Sequence, residues 1–238
     1  MASMADVLGL LGSSSIPQEA AERLITDASD LWLLSAPAAV LAGDLAQCYP
    51  PLQPDEARVT IRPTAPESSM RITVVTRDRP GLLAGTAGVL AAHGLSVIEA
   101  SVTTWSEQRM ALHGVTVGSD RFGDDAFRDE IIAATSAAAR GQWRGDVPFK
   151  PGGRVTVVAS PVPLEHSLVS VDAPDRLGLL WAITSWLAGQ DVSVVAAQLS
   201  DEDGRAKDLF LVSGSPDPDG LAMHLAGRRR PAWWRRGR

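Results

Sequence analysis

The chain has 238 residues, 45% of them hydrophobic and 21% charged, a composition typical of a globular protein with one or two domains. Its single cysteine, Cys48, excludes an intrachain disulfide and a zinc site built from several thiolates, and it favours a reducing, cytoplasmic setting. No run of about 18 uncharged apolar residues predicts a membrane span, and no basic stretch precedes the apolar N-terminus as in a signal peptide.

Charge is unevenly distributed along the chain. The net charge is −6, but residues 227–238 contain six arginines, so the rest of the chain carries −12. This acidic body argues against nucleic-acid binding through the folded part. We predict that residues 227–238 form a disordered basic tail; contact of its arginines and two tryptophans with an anionic membrane or an acidic partner is the alternative.

The first 52 residues are predicted to be a helical N-terminal segment. One helix is expected over residues 17–28, beginning at Pro17, and a second over 36–48, with Ser35 as its N-cap. Their apolar content indicates that they pack on the sheet or on a partner.

A repeat with an offset of 97 residues organises the rest of the chain. Ten of the 23 positions from 78 to 100 are identical to their counterparts 97 residues later, without a gap. Further upstream, "RVTI" at 58–61 matches "RVTV" at 154–157. The repeat therefore predicts two domains, over residues 58–146 and 154–226.

Each repeat has the pattern of a strand, a charged turn, a helix and two further strands. The segments 71–76 and 167–172 alternate in polarity as strands do, and a second helix is expected at about 123–140 in the first repeat. The second repeat is too short at its C-terminal end for a full helix and a closing strand. We therefore expect 58–62 and 154–159 to supply the outer strands; whether 154–159 pairs within its own unit or with the preceding one stays open.

The predicted fold class is α+β. It consists of two tandem ferredoxin-like (βαββαβ) domains, each with an antiparallel sheet and helices on one face, and the second is truncated at its C-terminal end.

The charged turns "RDRPG" and "PDRLG" are the candidate sites. Asp78 or its neighbour is predicted to cap the following helix, with Pro80 in the first helical turn, while Gly81 lets another group approach the backbone. The unpaired N–H groups and the positive helix end then suit a small carboxylate. The alternative is ordinary helix capping without a ligand. In the second turn Leu177 replaces the proline, so that turn is less constrained.

Two stretches carry a family resemblance. "VTRDRPGLLAGTAGVLAAHGLSVIEASV" and "VDAPDRLGLLWAITSWLAGQDVSVVAAQL" resemble ACT domains, the small-molecule regulatory modules of amino-acid metabolism. The resemblance covers about residues 58–226. This part of the chain is similar in particular to the tandem ACT repeats at the C-terminal end of the bifunctional uridylyltransferase/uridylyl-removing enzymes. Enzymes of that family sense glutamine and modify the nitrogen-signalling PII protein.

Two shorter segments support that comparison. "AKDLFLVSG" at 206–214 resembles the Asp-x-Phe-x-Val strand of the family's final repeat, and "DLWLLSAPAAVLAGDLAQC" at 30–48 resembles the helical segment before its first repeat. The family's nucleotidyltransferase and His-Asp hydrolase domains lie further upstream. We therefore expect this chain to hold the sensor without the catalytic half.

The resemblance implies that an amino acid binds between two domains, at the charged turn of each repeat and the start of the following strand. The ligand-binding residues that it implies are Asp78, Arg79, Pro80, Gly81, Leu82, Val97, Ile98, Asp175, Arg176, Leu177, Gly178, Leu179, Val194 and Val195.

The predicted function is that of a non-catalytic regulatory protein. It binds a small amino acid, with glutamine as the candidate, and transmits binding through a homodimer or to a protein partner in amino-acid or nitrogen metabolism. No cofactor is expected, and the four histidines do not have the spacing of metal ligands. The alternative function is a ligand-free interaction scaffold.

Overall fold

The computed structural model describes residues 2–11, 16–64 and 68–228. The predicted basic tail lies, from residue 229 onward, outside the described residues. Within the described part, no helix has the length and apolar composition needed to cross a bilayer. The helices are α1 Met4–Leu11, α2 Gln18–Thr26, α3 Asp30–Leu33, α4 Ala38–Leu45, α5 Leu82–Ala92, α6 Asp125–Ala139, α7 Leu179–Ala188 and α8 Pro218–Ala226.

One antiparallel sheet runs through the molecule. Its strands are β1 Ala57–Thr64, β2 Ser69–Arg77, β3 Ser96–Trp105, β4 Met110–Gly118, β5 Thr156–Val162, β6 His166–Pro174, β7 Val194–Leu199, β8 Asp201–Glu202 and β9 Arg205–Ser213. The strand order is β1-β2-β4-β3-β7-β9-β6-β5, and the short β8 pairs with β9. The fold is therefore α+β, as predicted, with one unit in each half of the sheet.

The outer strand of each unit comes from the segment that precedes it. β1 pairs with β2, with Val59 opposite Val74, and β5 pairs with β6, with Val157 opposite Val171. This confirms the expected origin of the outer strands and resolves the open alternative, because β5 pairs within its own unit. Each unit thus has the ferredoxin-like strand order with its edge strand first in the chain.

The two units join through β3 and β7. These strands pair antiparallel, with Ser101 opposite Gln198. Because these two residues are 97 positions apart, a pseudo-two-fold axis passes through this pair. Helices α5 and α7 pack against each other over the junction. The junction therefore brings the charged turn of each unit close to the other unit.

Helices α5–α8 cover one face of the sheet. Ile72 and Val74 in the segment 71–76, and Val169 and Val171 in the segment 167–172, are buried there. Helix α6, Asp125–Ala139, lies close to the range of about 123–140 that the sequence predicted. Gly94, at φ +75°, follows the end of α5, as expected of a glycine that stops a helix.

The N-terminal helices cover the opposite face of the first unit, and α3 also contacts β7 of the second unit. Trp32 and Leu41 pack there against Val75, Trp105 and Leu112. The Trp105 indole N–H also donates to the Leu24 carbonyl oxygen at 2.9 Å. The expectation that this segment packs on the sheet is thus met.

The prediction of two N-terminal helices was wrong in number and in one cap. The segment also contains α1 and α3. Helix α4 begins after Pro37, which makes no side-chain cap, whereas the Ser35 hydroxyl donates to the Trp32 carbonyl oxygen at 2.6 Å. Ser35 therefore closes α3 rather than opening α4.

A buried ion cluster attaches α4 to the sheet. The Asp44 carboxylate is fully buried and accepts hydrogen bonds from Arg71 at 2.6 Å, Arg62 at 2.7 Å and Thr73 at 2.6 Å. A Cβ atom on Gly114 would lie 2.1 Å from Asp44 Oδ2, so the glycine makes room for this carboxylate.

The corresponding face of β5 and β6, in the second unit, is open. On β5 and β6, the residues on this face include Thr156, Val158, Ser160 and Ser170, and all four are exposed. No helix among the described residues covers this part of the sheet as α1–α4 cover the first unit.

Candidate functional site

Two clefts lie between the units, one on each side of the β3–β7 junction. The first, which we call the Asp208 cleft, is formed by the turn and helix start of the second unit, the end of α5 and the start of β3. Its volume is about 30 Å³. Its lining includes Ala87, Ala91, Ser96, Val97, Ile98, Asp175, Arg176, Gly178, Leu179, Leu180, Trp181, Asp201 and Asp208.

The second, which we call the His113 cleft, is its counterpart, with a volume of about 20 Å³. Its lining is Asp78, Arg79, Gly81, Leu82, Leu83, Ala84, His113, Thr184, Ala188, Val192, Ser193 and Val194. Except for His113, each of these residues stands 97 positions from a residue that lines the Asp208 cleft. The two clefts are therefore the same structure built twice.

A glycine with a left-handed backbone conformation is the N-cap of each helix that begins at a cleft. Gly81 (φ +72°) is the N-cap of α5 and Gly178 (φ +82°) is the N-cap of α7, a conformation that favours glycine. Neither N-cap makes a side-chain hydrogen bond. The predicted capping by Asp78 and the position of Pro80 in the first helical turn were wrong, because the chain reverses at Gly81 and α5 begins one residue later.

Unpaired amide groups point to what the clefts can bind. Among the described residues, the amides of Leu83 and Ala84 at the start of α5 have no protein acceptor, and neither do those of Leu180 and Trp181 at the start of α7. All four residues line a cleft. Helix-start amides donate to anions and carry the positive end of the helix dipole, so each cleft offers donors suited to a carboxylate.

The two arginines of the turns bond to backbone carbonyls. The Arg79 guanidinium donates to the carbonyl oxygens of Ala138 and Ala139 at the end of α6. The Arg176 guanidinium donates at 2.8 Å to those of Lys150 and Gly152 in the segment between the units. Both arginines line the clefts, but their hydrogen bonds hold the turns in place.

Three carboxyl groups line the Asp208 cleft, and that of Asp208 is buried. Burial raises the pKa of Asp208 to about 8, and the neighbouring charges of Asp175 and Asp201 add to this, partly offset by a hydrogen bond from the Ser200 N–H. Burial and Asp201 also raise the pKa of Asp175. The Arg176 N–H and charge partly oppose the upward shift of the Asp175 pKa.

The His113 cleft contains a buried, neutral histidine instead. Burial and the charge of Arg79 lower the pKa of His113 to about 4. Its Nδ1 atom is buried and has no hydrogen-bond partner among the described residues. Burial also raises the pKa of Asp78, although the Arg79 N–H and charge oppose the shift.

The clefts bring together most residues of the predicted site. Val97 and Ile98 meet the turn of the second unit, and Val194 meets that of the first. Pro80, Leu177 and Val195 do not line either cleft. The ligand-binding role of the predicted residues stays a prediction.

Sequence reasoning missed His113, Asp208 and Asp201 as site residues. For Asp208 the signal was the resemblance of "AKDLFLVSG" to the family strand, whose acidic position is buried here. Among the described residues, no three His, Cys, Asp or Glu side chains group as metal ligands would.

The sheet and the paired clefts define an α+β protein of two tandem ferredoxin-like units. No family model matches the chain. The chain is similar to the bifunctional uridylyltransferase/uridylyl-removing enzyme of Burkholderia orbicola (strain MC0-3), with 27% identity over 222 residues that cover 87% of this chain and 26% of that protein. The enzyme of Burkholderia vietnamiensis (strain G4 / LMG 22486) is 28% identical over the same shares. This confirms the resemblance seen in the sequence.

The similarity is confined to part of those enzymes. The chain spans about a quarter of the length of the curated relatives it matches. Among solved structures, the aspartate kinase from Synechocystis has 17% sequence identity and a TM-score of 0.43, over 66% of this chain and 26% of that one.

Proposed function

We propose that this chain is a non-catalytic, cytoplasmic regulatory module that binds a free amino acid, with glutamine as the candidate, at the interface of its two units. The observation that carries the proposal is the set of unpaired helix-start amides that face clefts shared by both units. A ligand whose carboxylate accepts from these amides would touch both units at once.

The small size of the clefts supports a regulatory role. About 30 Å³ accommodates a water molecule but not a whole amino acid. Binding therefore requires the turn of one unit and the strand of the other to move apart. A ligand that favours the separated arrangement shifts the population toward it, and a partner protein can read that change.

The relatives supply the biological setting of the proposal. They are named for both the transfer and the removal of uridylyl groups. A chain similar to a quarter of such an enzyme suits control of that chemistry in nitrogen metabolism.

A thermal-shift screen of the twenty amino acids with the whole chain tests the proposal. A ligand that binds the folded state at about 100 times its Kd should stabilise it by about 2.7 kcal/mol, which raises Tm by several degrees. The α-carboxamide of the active amino acid, which lacks the anionic group, should lose the effect. A screen with no stabilising amino acid would contradict the proposal.

The alternative function is a protein-interaction scaffold. It is supported by the open sheet face of β5 and β6, where Val158 is 53% exposed. Under this alternative, Val158→Glu should abolish association in sedimentation experiments while amino acids leave Tm unchanged.

A further inference from the structure

The two clefts differ at one buried position. On β4, His113 lies opposite Val74; on β9, Asp208 lies opposite Val171. Val74 and Val171 are counterparts in the repeat, so His113 and Asp208 occupy the same place in the two units. Both side chains are buried on the face covered by α5 and α7, and each lines its cleft.

We infer that this difference makes the clefts unequal, so that the chain binds one amino acid, in the Asp208 cleft, with the ligand's ammonium group held by Asp208 and Asp175. The inference rests on the proposed function and specifies its site, its stoichiometry and the residue that selects the ligand.

The charges of the Asp208 cleft support an ammonium group. Three carboxyl groups line it, those of Asp175, Asp201 and Asp208. The cation of the same cleft, Arg176, directs its donors to backbone carbonyls, and within the described residues Asp208 has no ion pair. The buried carboxyl group of Asp208 therefore lacks a counter-ion within the described part of the chain and is neutral without a ligand. A ligand ammonium would supply that counter-ion and favour the ionised carboxylate, whereas an imidazole cannot become an anion in this way.

The amides complete a site for a zwitterion. Those of Leu180 and Trp181 at the start of α7 lie in the same cleft as the carboxyl groups. An α-amino acid carries its carboxylate and ammonium groups on one carbon atom. It can therefore accept from the helix start and donate to Asp208 from a single position.

The His113 cleft lacks this pairing. Its helix-start amides are equivalent, but Asp78 is the one carboxyl group in its described lining. The neutral imidazole of His113 offers no negative charge to an ammonium group, and the charge of Arg79, which acts on His113, opposes one. An amino acid in the His113 cleft would therefore find donors for its carboxylate but, among the described residues, no buried carboxyl group for its ammonium.

Trp181 adds a second difference and a reporter. It lines the Asp208 cleft, whereas its counterpart in the His113 cleft is Ala84. The Trp181 ring packs on α5, since a Cβ atom on Gly88 would lie 3.1 Å from its Cδ1 atom. A ligand in the Asp208 cleft should therefore change the fluorescence of Trp181.

The test is calorimetric titration of the whole chain with the amino acid that stabilises it and with the analogue that lacks only the α-amino group (for L-glutamine, glutaramic acid). We expect one site per chain and at least about tenfold weaker binding of the analogue, because a charged hydrogen bond is lost. Asp208→Asn should remove this preference for the amino group, whereas the matched change His113→Asn should retain it.

The wild-type comparison needs no variant and keeps the inference testable if Asp208→Asn fails to fold. Two equivalent sites per chain, or equal affinity for the amino acid and its analogue, would overturn the inference alone. A preference that survives Asp208→Asn but not His113→Asn would overturn it as well. Absence of any amino-acid binding would instead overturn the proposed function on which it rests.

Discussion

Asp208 and His113 stand at equivalent positions, and burial acts on them in opposite directions. A buried acid is held in its neutral, protonated form, whereas a buried histidine is held in its neutral, deprotonated form. Both groups therefore cost stability outside the pH range in which they are neutral in water.

For Asp208, we predict that the contribution of its carboxyl group to stability falls as pH rises from about 4 to about 8. The pKa of its carboxyl group is 3.8 in the unfolded chain and about 8 in the folded one, so the folded state binds more protons in this window. Asp208→Asn should flatten the slope, with a gain of more than about 1 kcal/mol at pH 8 relative to pH 5. Urea unfolding at the two pH values measures it.

The matched control is His113→Asn. The pKa of His113 is 6.5 when unfolded and about 4 when folded, so the unfolded state binds more protons between these values. The contribution of His113 to stability should therefore fall as pH drops from 6.5 to 4, opposite in sign to that of Asp208 in this window, and this variant should remove it alone. Equal effects of both variants in both windows would show that neither titration governs the slope.

At the scale of elements, the short helix α4 attaches to the sheet through one buried carboxylate as well as through its apolar packing. The buried Asp44 carboxylate accepts hydrogen bonds from the buried Arg71, the partly exposed Arg62 and Thr73. Removing Asp44 leaves the charge of Arg71 buried without this partner.

We predict that Asp44→Ala lowers the free energy of unfolding by about 3–5 kcal/mol, because Arg71 loses its buried partner. Glu99→Gln is the control. Glu99 is partly exposed and lies 3.8 Å from Arg71, so its loss should cost less than about 1 kcal/mol. Denaturant titration of both variants gives the comparison, and similar losses would show that Asp44 has no special role.

The two N-cap glycines differ in their surroundings. A Cβ atom on Gly178 would lie 2.7 Å from the Pro148 carbonyl oxygen, whereas on Gly81 its nearest contact is Ala188 at 3.8 Å. Both alanine variants pay the cost of a left-handed backbone, about 1–2 kcal/mol.

Gly178→Ala must in addition displace the segment between the units. We therefore predict that it destabilises the protein by about 1–3 kcal/mol more than Gly81→Ala. The melting temperatures of the two variants, measured side by side, test this prediction. An equal decrease in both would mean that the segment between the units moves aside at no cost in stability.

The sequence predicted the elements better than their arrangement. The strand, turn and helix of each repeat follow from local patterns, and the repeat fixed their equivalence. Pairing of β3 with β7 joins residues almost 100 positions apart, and no local pattern encodes such a contact. The clefts depend on that pairing. The residues of their opposite walls could therefore be predicted only from the family resemblance.

The site residues that were missed show the same limit. His113 and Asp208 are 95 positions apart rather than 97, because the hairpin that precedes them is shorter in the second unit. An alignment of the two repeats at a constant offset of 97 residues therefore does not match His113 with Asp208. Their equivalence is seen from the residues that they face on the neighbouring strands. Ser35 was misassigned because a serine before a helical run is typical of an N-cap, yet Pro37 begins α4.

At the scale of the whole molecule, the continuous sheet makes the units interdependent. The sheet crosses from one unit to the other at β3–β7, and each cleft draws its walls from both. We predict a single calorimetric unfolding transition, with a van't Hoff enthalpy equal to the calorimetric one. Two resolved transitions would mean that the β3–β7 junction is weak enough for the units to melt separately.

The covalent linkage of the units has a consequence for how the clefts can evolve. A symmetric dimer of single units must carry every substitution twice, so a histidine in one cleft would appear in the other. In a tandem chain the copies mutate independently. One cleft can keep its carboxyl group while its twin acquires an imidazole, and selection can then refine one binding site without disturbing the packing that its silent counterpart provides.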